Sequence, residues 1–126
     1  MDIVPFAPGH LEGVLGLCRA EGWTSLPEDP ERARRALTAP GAITVVAVDG
    51  GEVVGFAQAL TDGEIQAYLC NIAVAEGARR RGIGERLLEE ALSRSGAMRI
   101  DLLATGDSEA FYRAREHRQF PGYRLY

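Results

Sequence analysis

The sequence predicts a single α/β domain whose elements follow the order β-α-α-β-β-β-α-β-α-β. Three observations support this prediction. The chain has 126 residues, of which 46% are hydrophobic and 25% are charged, proportions that are typical of one globular domain. Two apolar runs flank Asp49-Gly50-Gly51, a turn sequence that indicates a β-hairpin. A third run, Leu69 to Val74, stops at a basic, glycine-containing turn, after which apolar residues recur at helical spacing.

The N-terminal part of the chain predicts one strand and two helices. A short strand covers Asp2–Phe6, and a helix follows over about Pro8–Ala20, where apolar residues recur at helical spacing. Glu21–Pro27 is a loop. Asp29-Pro30 then begin a second helix, since aspartate is favoured as an N-cap and proline at the first helical position. This helix runs to about Thr38 and ends at a Pro-Gly pair.

The middle of the chain predicts three strands and a longer helix. Ile43–Val48 and Val53–Leu60 are the strands of the hairpin, and a Thr-Asp-Gly turn leads into a third strand, Glu64–Val74. The helix Gly82–Arg94 follows the glycine turn. It is closed by Ser95-Gly96, because glycine suits the position just after a helix.

The C-terminal part predicts a strand, a helix and a last strand. Ile100–Ala104 has the character of a buried strand. Asp107 or Ser108 caps a helix around Phe111, since both residue types are favoured N-caps. Gln119–Tyr126 is expected to return as the final strand.

The turn between the third strand and the longer helix has the features of an anion site. A helix start directs free backbone N–H groups and the positive end of the helix dipole at one spot. Gly82 and Gly84 let the backbone approach an anion closely, and Arg79, Arg80 and Arg81 add positive charge. We expect a pyrophosphate there. The alternatives are a plain helix-start turn and a solvated run of arginines.

Two common phosphate-binding motifs do not match this turn. Gly77 and Gly82 have the spacing of a P-loop, but Ile83-Gly84 stand where a lysine and a hydroxyl residue are required. A dinucleotide fingerprint needs a third glycine where the chain has Leu87. The pattern that fits is Arg-x-x-Gly-x-Gly, over residues 79–84.

The surroundings of this pattern carry a family resemblance. With Asn71-Ile72-Ala73-Val74 before it and Leu87-Leu88 after it, it resembles the acyl-CoA-binding motif of the GNAT family of N-acetyltransferases. Ala110-Phe111-Tyr112 is similar to that family's late helix with its recurring tyrosine, and the predicted element order is the family's order over essentially the whole chain. The resemblance implies a mixed, mostly antiparallel sheet that splays open between Glu64–Val74 and Ile100–Ala104. It also implies acetyl-CoA as co-substrate in that gap.

The resemblance implies roles for individual residues of the cofactor site. The main chain of the third strand pairs with the pantetheine arm, and the glycine turn takes the pyrophosphate on main-chain amides. The implied cofactor-binding residues are Ile72, Ala73, Val74, Arg79, Arg80, Arg81, Gly82, Ile83, Gly84 and Glu85.

Tyr112 and Glu64 are the candidate catalytic residues. Tyr112 is the predicted general acid, which donates a proton to the departing thiolate. Phe111 and Tyr112 cannot both face inward on a helix, so one of them is expected to be free for the cleft. Packing of Tyr112 against the sheet is the alternative. Glu64 shares a strand face with Gln66 and Tyr68 if no bulge intervenes, and a solvated residue beside a turn is its alternative.

Two positions depart from the family pattern. The glutamate that serves some members as general base aligns by spacing with Tyr68, and Glu116-His117 stand where the late helix usually ends in Gly-Phe. The first departure leaves the identity of the general base undetermined. A proton path through water and an amine that arrives neutral are both compatible with the sequence. The second implies a different wall on the acceptor side.

The loop after the first helix is the expected wall of the acceptor pocket. Trp23 could cover an amine by cation–π contact, or it could fill space between the first two helices. Glu28, Asp29 and Glu31 would suit a cationic acceptor, but acidic residues are also favoured at a helix start.

Composition excludes several other classes of function. A net charge of −4 argues against general nucleic-acid binding, and no apolar run is long enough to cross a membrane. Cys18 and Cys70 are expected to be reduced thiols, with a disulfide as the alternative, and His10 and His117 have no partners at metal-ligand spacing. With no evident signal peptide, we expect a cytoplasmic protein without a metal.

Three hypotheses for the function follow from these observations. The first is transfer of an acetyl group from acetyl-CoA to a primary amine of a small molecule or peptide, with a homodimer left open. The second is a CoA-binding or acyl-CoA-binding module of the same fold without turnover. The third is a nucleic-acid binder that uses the arginines of the turn with Arg113, Arg115 and Arg118, and the net acidity opposes it.

Overall fold

A computed structural model describes the chain from Met1 to Tyr126. The strands are β1 (Asp2–Pro5), β2 (Ala42–Asp49), β3 (Glu52–Thr61), β4 (Gln66–Val74) and β5 (Arg99–Asp101). The α-helices are α1 (Leu11–Ala20), α2 (Pro30–Leu37), α3 (Ile83–Ser95) and α4 (Glu109–Arg113), and short 3-10 turns cover Pro8–His10 and Glu76–Ala78. No helix combines the length and the apolar character that crossing a bilayer requires.

The five strands form one open sheet in the order β1-β2-β3-β4-β5. The first four strands are antiparallel to their neighbours, and only β4 and β5 run parallel. The predicted fold class, a mixed and mostly antiparallel sheet flanked by helices, is therefore confirmed. A parallel last pair requires a crossover connection, and α3 provides it.

The local signals in the sequence act where they were expected. The Oδ1 atom of Asp29 accepts the N–H of Arg32 at 3.1 Å and caps α2. Gly82 and Gly96 flank α3 with φ angles of 75° and 70°, a left-handed conformation that glycine adopts without a Cβ clash. Glycine thus starts and ends the helix that carries the candidate site.

Both faces of the sheet are covered by helices. The face covered by α3 has a core of ten buried residues: Val45, Ala47, Ala57, Ala59, Leu69, Ala78, Ile83, Leu87, Leu88 and Ala91. The face covered by α1 and α2 has a core of seven: Val14, Leu17, Cys18, Leu37, Val46, Phe56 and Ala73. The sheet is therefore anchored on both sides up to the end of β4.

A β-bulge at Cys70 changes which side chains of β4 meet each face. Asn71 pairs with Gln58 on β3, but Leu69 already pairs with Ala59, so Cys70 has no partner of its own. Before the bulge, Leu69 packs in the core under α3; after it, Ala73 packs in the core under α1 and α2. The bulge therefore turns Ile72 and Val74 toward α3, where the glycine turn follows.

The third strand starts later than predicted. It begins at Gln66 rather than Glu64, because Asp62 closes a turn in front of it. The Oδ1 atom of Asp62 accepts the N–H groups of Glu64, Ile65 and Gln66 at 2.7, 2.8 and 3.1 Å. These bonds to the charged form lower the pKa of Asp62.

The C-terminal predictions are only partly met. In place of a buried strand Ile100–Ala104, β5 has three residues, and only its middle one, Ile100, is half-buried. The predicted last strand Gln119–Tyr126 is absent, and these residues are exposed and irregular. Pro121 lacks an N–H for a ladder, and the apolar side chains of this segment do not alternate with period two, so no face is available for burial.

Candidate functional site

The edge of β4 that faces β5 is open over much of its length. The two strands pair only where Gln66, Ala67 and Tyr68 meet Arg99, Ile100 and Asp101. From Leu69 to Val74, β4 continues with no strand on that side. Unpaired backbone groups at such an edge can bind an extended ligand as another strand would.

The backbone groups that face this gap belong to alternate residues. The N–H of Ala75 donates to the carbonyl of Val54 on β3 at 2.8 Å. The carbonyl of Ala73 also points at β3, since it lies 3.1 Å from the place that a Cβ on Gly55 would occupy. By the alternation of a strand, Ile72 and Val74 direct their N–H and C=O groups into the gap. Ala73, predicted as part of the same surface, directs its backbone the other way and buries its side chain.

The first turn of α3 offers a second set of free donors. The N–H groups of Ile83, Gly84 and Glu85 have no acceptor within the chain, and the first bond of the helix runs from Arg86 N–H to the carbonyl of Gly82 at 3.2 Å. Arg80, with φ 66°, is the one non-glycine residue in the left-handed region. Free amides at the positive end of a thirteen-residue helix can bind an anion.

The three arginines of the turn have different partners. Arg79 donates from Nε to the carbonyl of Val74 at 3.1 Å and from Nη2 to Glu21 at 2.6 Å. Arg81 donates to Asp49 at 3.1 Å. The side chain of Arg80 has no hydrogen bond or ion pair and is exposed. Of the three guanidinium groups, that of Arg80 is the one available to an anion.

Gly84 is needed for close packing of α4 against α3. A Cβ on Gly84 would lie 3.3 Å from the ring of Phe111 and 3.8 Å from Cγ2 of Val74. The absence of a side chain therefore lets Phe111 sit over the first turn of α3. This is a packing reason for the glycine, and it adds to the close approach of an anion that the sequence predicted.

Phe111 and Tyr112 both face the protein. Each is half-buried against the core under α3, and their rings meet edge to face with centroids 5.0 Å apart. The two rings were expected to diverge, with one free for the cleft; both instead pack against this core, and each stays partly exposed. Burial raises the pKa of Tyr112, so its phenol is protonated at neutral pH.

Arg115 neutralises the acidic residue at the anion site. Glu85 lies in the first turn of α3, where its charge would repel a phosphate. Arg115, beyond the end of α4, places Nη1 2.5 Å from Glu85 and 3.7 Å from Glu89. This pairing could not be predicted from the sequence, because no spacing rule links residues that are 30 positions apart.

Glu64 does not lie on the strand face proposed for it. It is exposed in the turn closed by Asp62, ahead of the first residue of β4. Glu116 and His117 are likewise exposed and lie beyond the end of α4 rather than at it. The structure therefore brings Phe111 to the glycine turn, with Tyr112 packed beside it, and leaves Glu64 at the opposite end of β4.

We expect Glu64→Gln to lower kcat far less than the roughly 10²–10⁴-fold that is usual for a direct acid–base group. The reason is its exposure in a turn outside the strand. Initial rates across pH for the parent and the variant test this expectation. If the variant lost the acidic limb of the pH profile, Glu64 would be the base after all.

The loop between α1 and α2 forms a shallow surface groove. Its lining residues are Arg19, Gly22, Trp23, Thr24, Pro27 and Glu28. Trp23 is 36% exposed, so part of its ring is accessible to a ligand. Asp29 caps α2, and Glu31 pairs with Arg34, whose hydrogen bond and charge lower the pKa of Glu31, so both support the helix. The exposed polar and aromatic side chains that line the groove are those of Arg19, Trp23, Thr24 and Glu28.

The side chains of Asn71 and Gln58 have structural roles. Asn71, beside the bulge, donates to Gln58 at 3.0 Å, and Gln58 donates to the carbonyl of Ala36 in α2 at 3.0 Å.

Cys18 and Cys70 are free thiols, and burial raises the pKa of Cys18 to about 11. No three His, Cys, Asp or Glu side chains converge to form a metal site.

Known proteins share this architecture. The model of the Acetyltransferase (GNAT) family matches residues 11–116. A mycothiol acetyltransferase from Kineococcus radiotolerans is 37% identical over 113 residues, which make up 80% of this chain and 37% of that protein. The chain thus spans well under half of that relative's length.

Two solved structures superimpose on most of the chain. The structure of AAC(6')-Iy with the bisubstrate analogue CoA-S-monomethyl-acetylneamine has a TM-score of 0.77 at 22% identity, over 99% of this chain and 97% of that one. A GNAT family acetyltransferase from Streptococcus pneumoniae has a TM-score of 0.69 at 28% identity, over 90% of this chain and 83% of that one.

Proposed function

Because the chain belongs to the GNAT acetyltransferase family, we propose that it transfers the acetyl group of acetyl-CoA to a primary amine. The single observation that carries the proposal is the pair of free donor sets, one at Ile72 and Val74 on the open edge of β4 and one in the first turn of α3. An extended chain of amides that ends in a pyrophosphate needs two such sets of donors, one after the other along the surface. Acetyl-CoA has that form.

The residues present fit this co-substrate. Ile72 and Val74 would hold the pantetheine amides, and one N–H there would polarise the thioester carbonyl. The amides of Ile83, Gly84 and Glu85 would hold the pyrophosphate, with the side chain of Arg80 beside them. Arg115 supports this site by neutralising Glu85.

The acceptor is an amine of a small molecule or peptide. A sequence relative named for mycothiol favours the small molecule. The groove with Trp23 and Glu28 lies on the face covered by α1 and α2, and these two groups suit a cation.

The chemistry requires little covalent help from the protein. In a ternary complex, the amine nitrogen attacks the thioester carbonyl carbon, a C–N bond forms, and the C–S bond breaks. Alignment of the two substrates can supply about 7–11 kcal/mol of the barrier reduction. Tyr112 would donate its phenolic proton to the leaving thiolate, and the raised pKa keeps that proton in place until then. The amine loses its proton to water, to Glu64 through water, or before it binds.

We expect acetyl-CoA to raise the melting temperature by roughly 10 °C at a hundredfold excess over Kd, because binding to the native state at that excess is worth about 2.7 kcal/mol. NAD and ATP should shift it little, since neither has an amide chain for the edge of β4. Differential scanning fluorimetry with the three ligands tests this. A shift with ATP as large as that with acetyl-CoA would refute the assignment.

A non-catalytic CoA-binding module is the second candidate function. The observation in its favour is that β4 carries no carboxylate and that Glu64 lies outside the strand. An amine panel with thiol detection separates the two. If CoA binds and no amine releases thiol, the non-catalytic function is correct.

A further inference from the structure

We propose that Arg79 is a positioning residue that couples the cofactor gap to the acceptor-side loop, Gly22–Pro27. This inference rests on the proposed function, because it requires CoA in the gap and an acceptor at the loop. Arg79 belongs to the glycine turn, but its guanidinium is already bonded to Val74 and Glu21. One side of it contacts the end of β4, and the other contacts the end of α1.

The first contact joins Arg79 to the gap. Its Nε donates to the carbonyl of Val74 at 3.1 Å. Val74 is one of the two residues whose backbone lies on the open edge of β4. A ligand paired with this edge would therefore act directly on the residue that accepts from Arg79.

The second contact joins Arg79 to the loop. Its Nη2 donates to Glu21 at 2.6 Å, and the Glu21 side chain is only 27% exposed. Glu21 is the C-cap of α1, and two residues later the N–H of Trp23 donates to the carbonyl of Cys18 at 2.9 Å. Glu21 and Trp23 are thus both held by the last turn of α1. A shift of Glu21 would be transmitted to the loop within one turn of helix.

The neighbouring arginines make no such connection. Arg81 pairs with Asp49, at the hairpin between β2 and β3, and Arg80 has no partner. The guanidinium of Arg79 can hold both acceptors because it presents its donors in a fixed planar fork. A lysine at this place could not keep both contacts.

Coupling of this kind is reciprocal. If CoA in the gap changes the affinity of the loop for an acceptor, the acceptor changes the affinity for acetyl-CoA by the same factor. We expect a factor of roughly 5 or more, the lower end for coupled sites. Loss of Arg79 should bring this factor close to one.

Trp23 reports the coupling because it is the one tryptophan of the chain and lies in the loop itself. The experiment measures its fluorescence with and without saturating CoA, with binding followed independently by calorimetry. We expect CoA to change the emission of the parent protein and of Arg94→Ala, the control that removes an exposed ion pair with Glu90 on α3. Arg79→Ala and Arg79→Lys should bind CoA and lose that change.

Each outcome decides the proposal. An emission change in Arg79→Ala as large as in the parent overturns the coupling and leaves CoA binding intact. CoA binding in the parent without any change at Trp23 overturns it as well. If calorimetry shows no CoA binding to the parent, the proposed function fails and the inference fails with it.

A second variant covers the case in which Arg79→Ala does not fold. Glu21→Gln removes the charge of the partner and keeps its shape, so it should lose the Trp23 response too. With an acceptor from the amine panel, Glu21→Gln should raise the KM for the acceptor at saturating acetyl-CoA by roughly 5-fold or more and leave the affinity for CoA in the absence of acceptor nearly unchanged. A comparable loss of affinity for CoA alone would show a merely structural role.

Discussion

Tyr112→Phe is expected to lower kcat by roughly 10²–10⁴-fold while the affinity for acetyl-CoA stays nearly constant, because a proton donor to the leaving thiolate acts chiefly in the transition state. The phenyl ring keeps its edge-to-face contact with Phe111. The fall should therefore belong to the hydroxyl alone. Steady-state kinetics with an acceptor from the amine panel, together with CoA calorimetry, measure the two quantities.

The pH dependence of folding stability gives a second test of the buried Tyr112 phenol. Burial raises the pKa of Tyr112, so the folded protein keeps the phenol protonated to a higher pH than the unfolded chain does. Above the ordinary tyrosine pKa of about 10, the unfolded state loses its proton first, and the contribution to stability falls as the pH rises through the folded pKa. Tyr112→Phe should remove this loss of stability at alkaline pH. Full activity in Tyr112→Phe would assign the proton donor elsewhere.

Gly84→Val should lower kcat by roughly 100-fold, the effect that a misplacement of about 1 Å near a reaction can have. A Cβ at this position would already lie 3.3 Å from the ring of Phe111, and the two methyl groups of valine need space that the ring now fills. Phe111 must move, and Tyr112 moves with it because the two residues are adjacent on α4. Circular dichroism and the melting temperature show whether the fold is kept while the rate is measured.

Gly82→Asn is the matched control. A Cβ on Gly82 has no atom within 4 Å, and asparagine tolerates the left-handed backbone that φ 75° requires. Its side chain would point into open space near the anion site, so we expect weaker CoA binding with a nearly normal kcat at saturation. Gly84→Val combined with Phe111→Leu should recover part of the rate that Gly84→Val loses, since leucine leaves more room than phenylalanine. A Gly84→Val enzyme of normal rate would show that α4 is not held through this contact.

Much of the cofactor site could be predicted from the sequence because its signals are local. Gly82 and Gly96 bound α3 through a backbone conformation that few other residues adopt, and Asp29 caps α2 through a bond to a residue three positions on. The repeat of apolar residues after the glycine turn defines the buried face of α3. Each of these effects acts within about one turn of helix, so the order of residues is enough to reveal it.

The tertiary structure decided which groups of the site are available to a ligand. The bulge at Cys70 determines the faces of Ile72 and Val74, and it depends on how β4 aligns with β3. Nothing in the run Arg79 to Arg81 distinguishes its three members. They differ because Glu21 and Asp49, 58 and 32 positions away from their partners, come to the same surface.

The sequence by itself therefore determined the fold class, the helix with its free amides and the pattern that carries the family resemblance. The tertiary structure decided the length of β5 and hence of the open edge, the place of Glu64 in a turn, the pairing of Arg115 with Glu85 and the role of Arg79. The physical reason is one of range. Helix caps, glycine turns and hydrophobic periodicity depend on neighbours along the chain, whereas ion pairs, strand register and the packing of α4 depend on where distant segments meet.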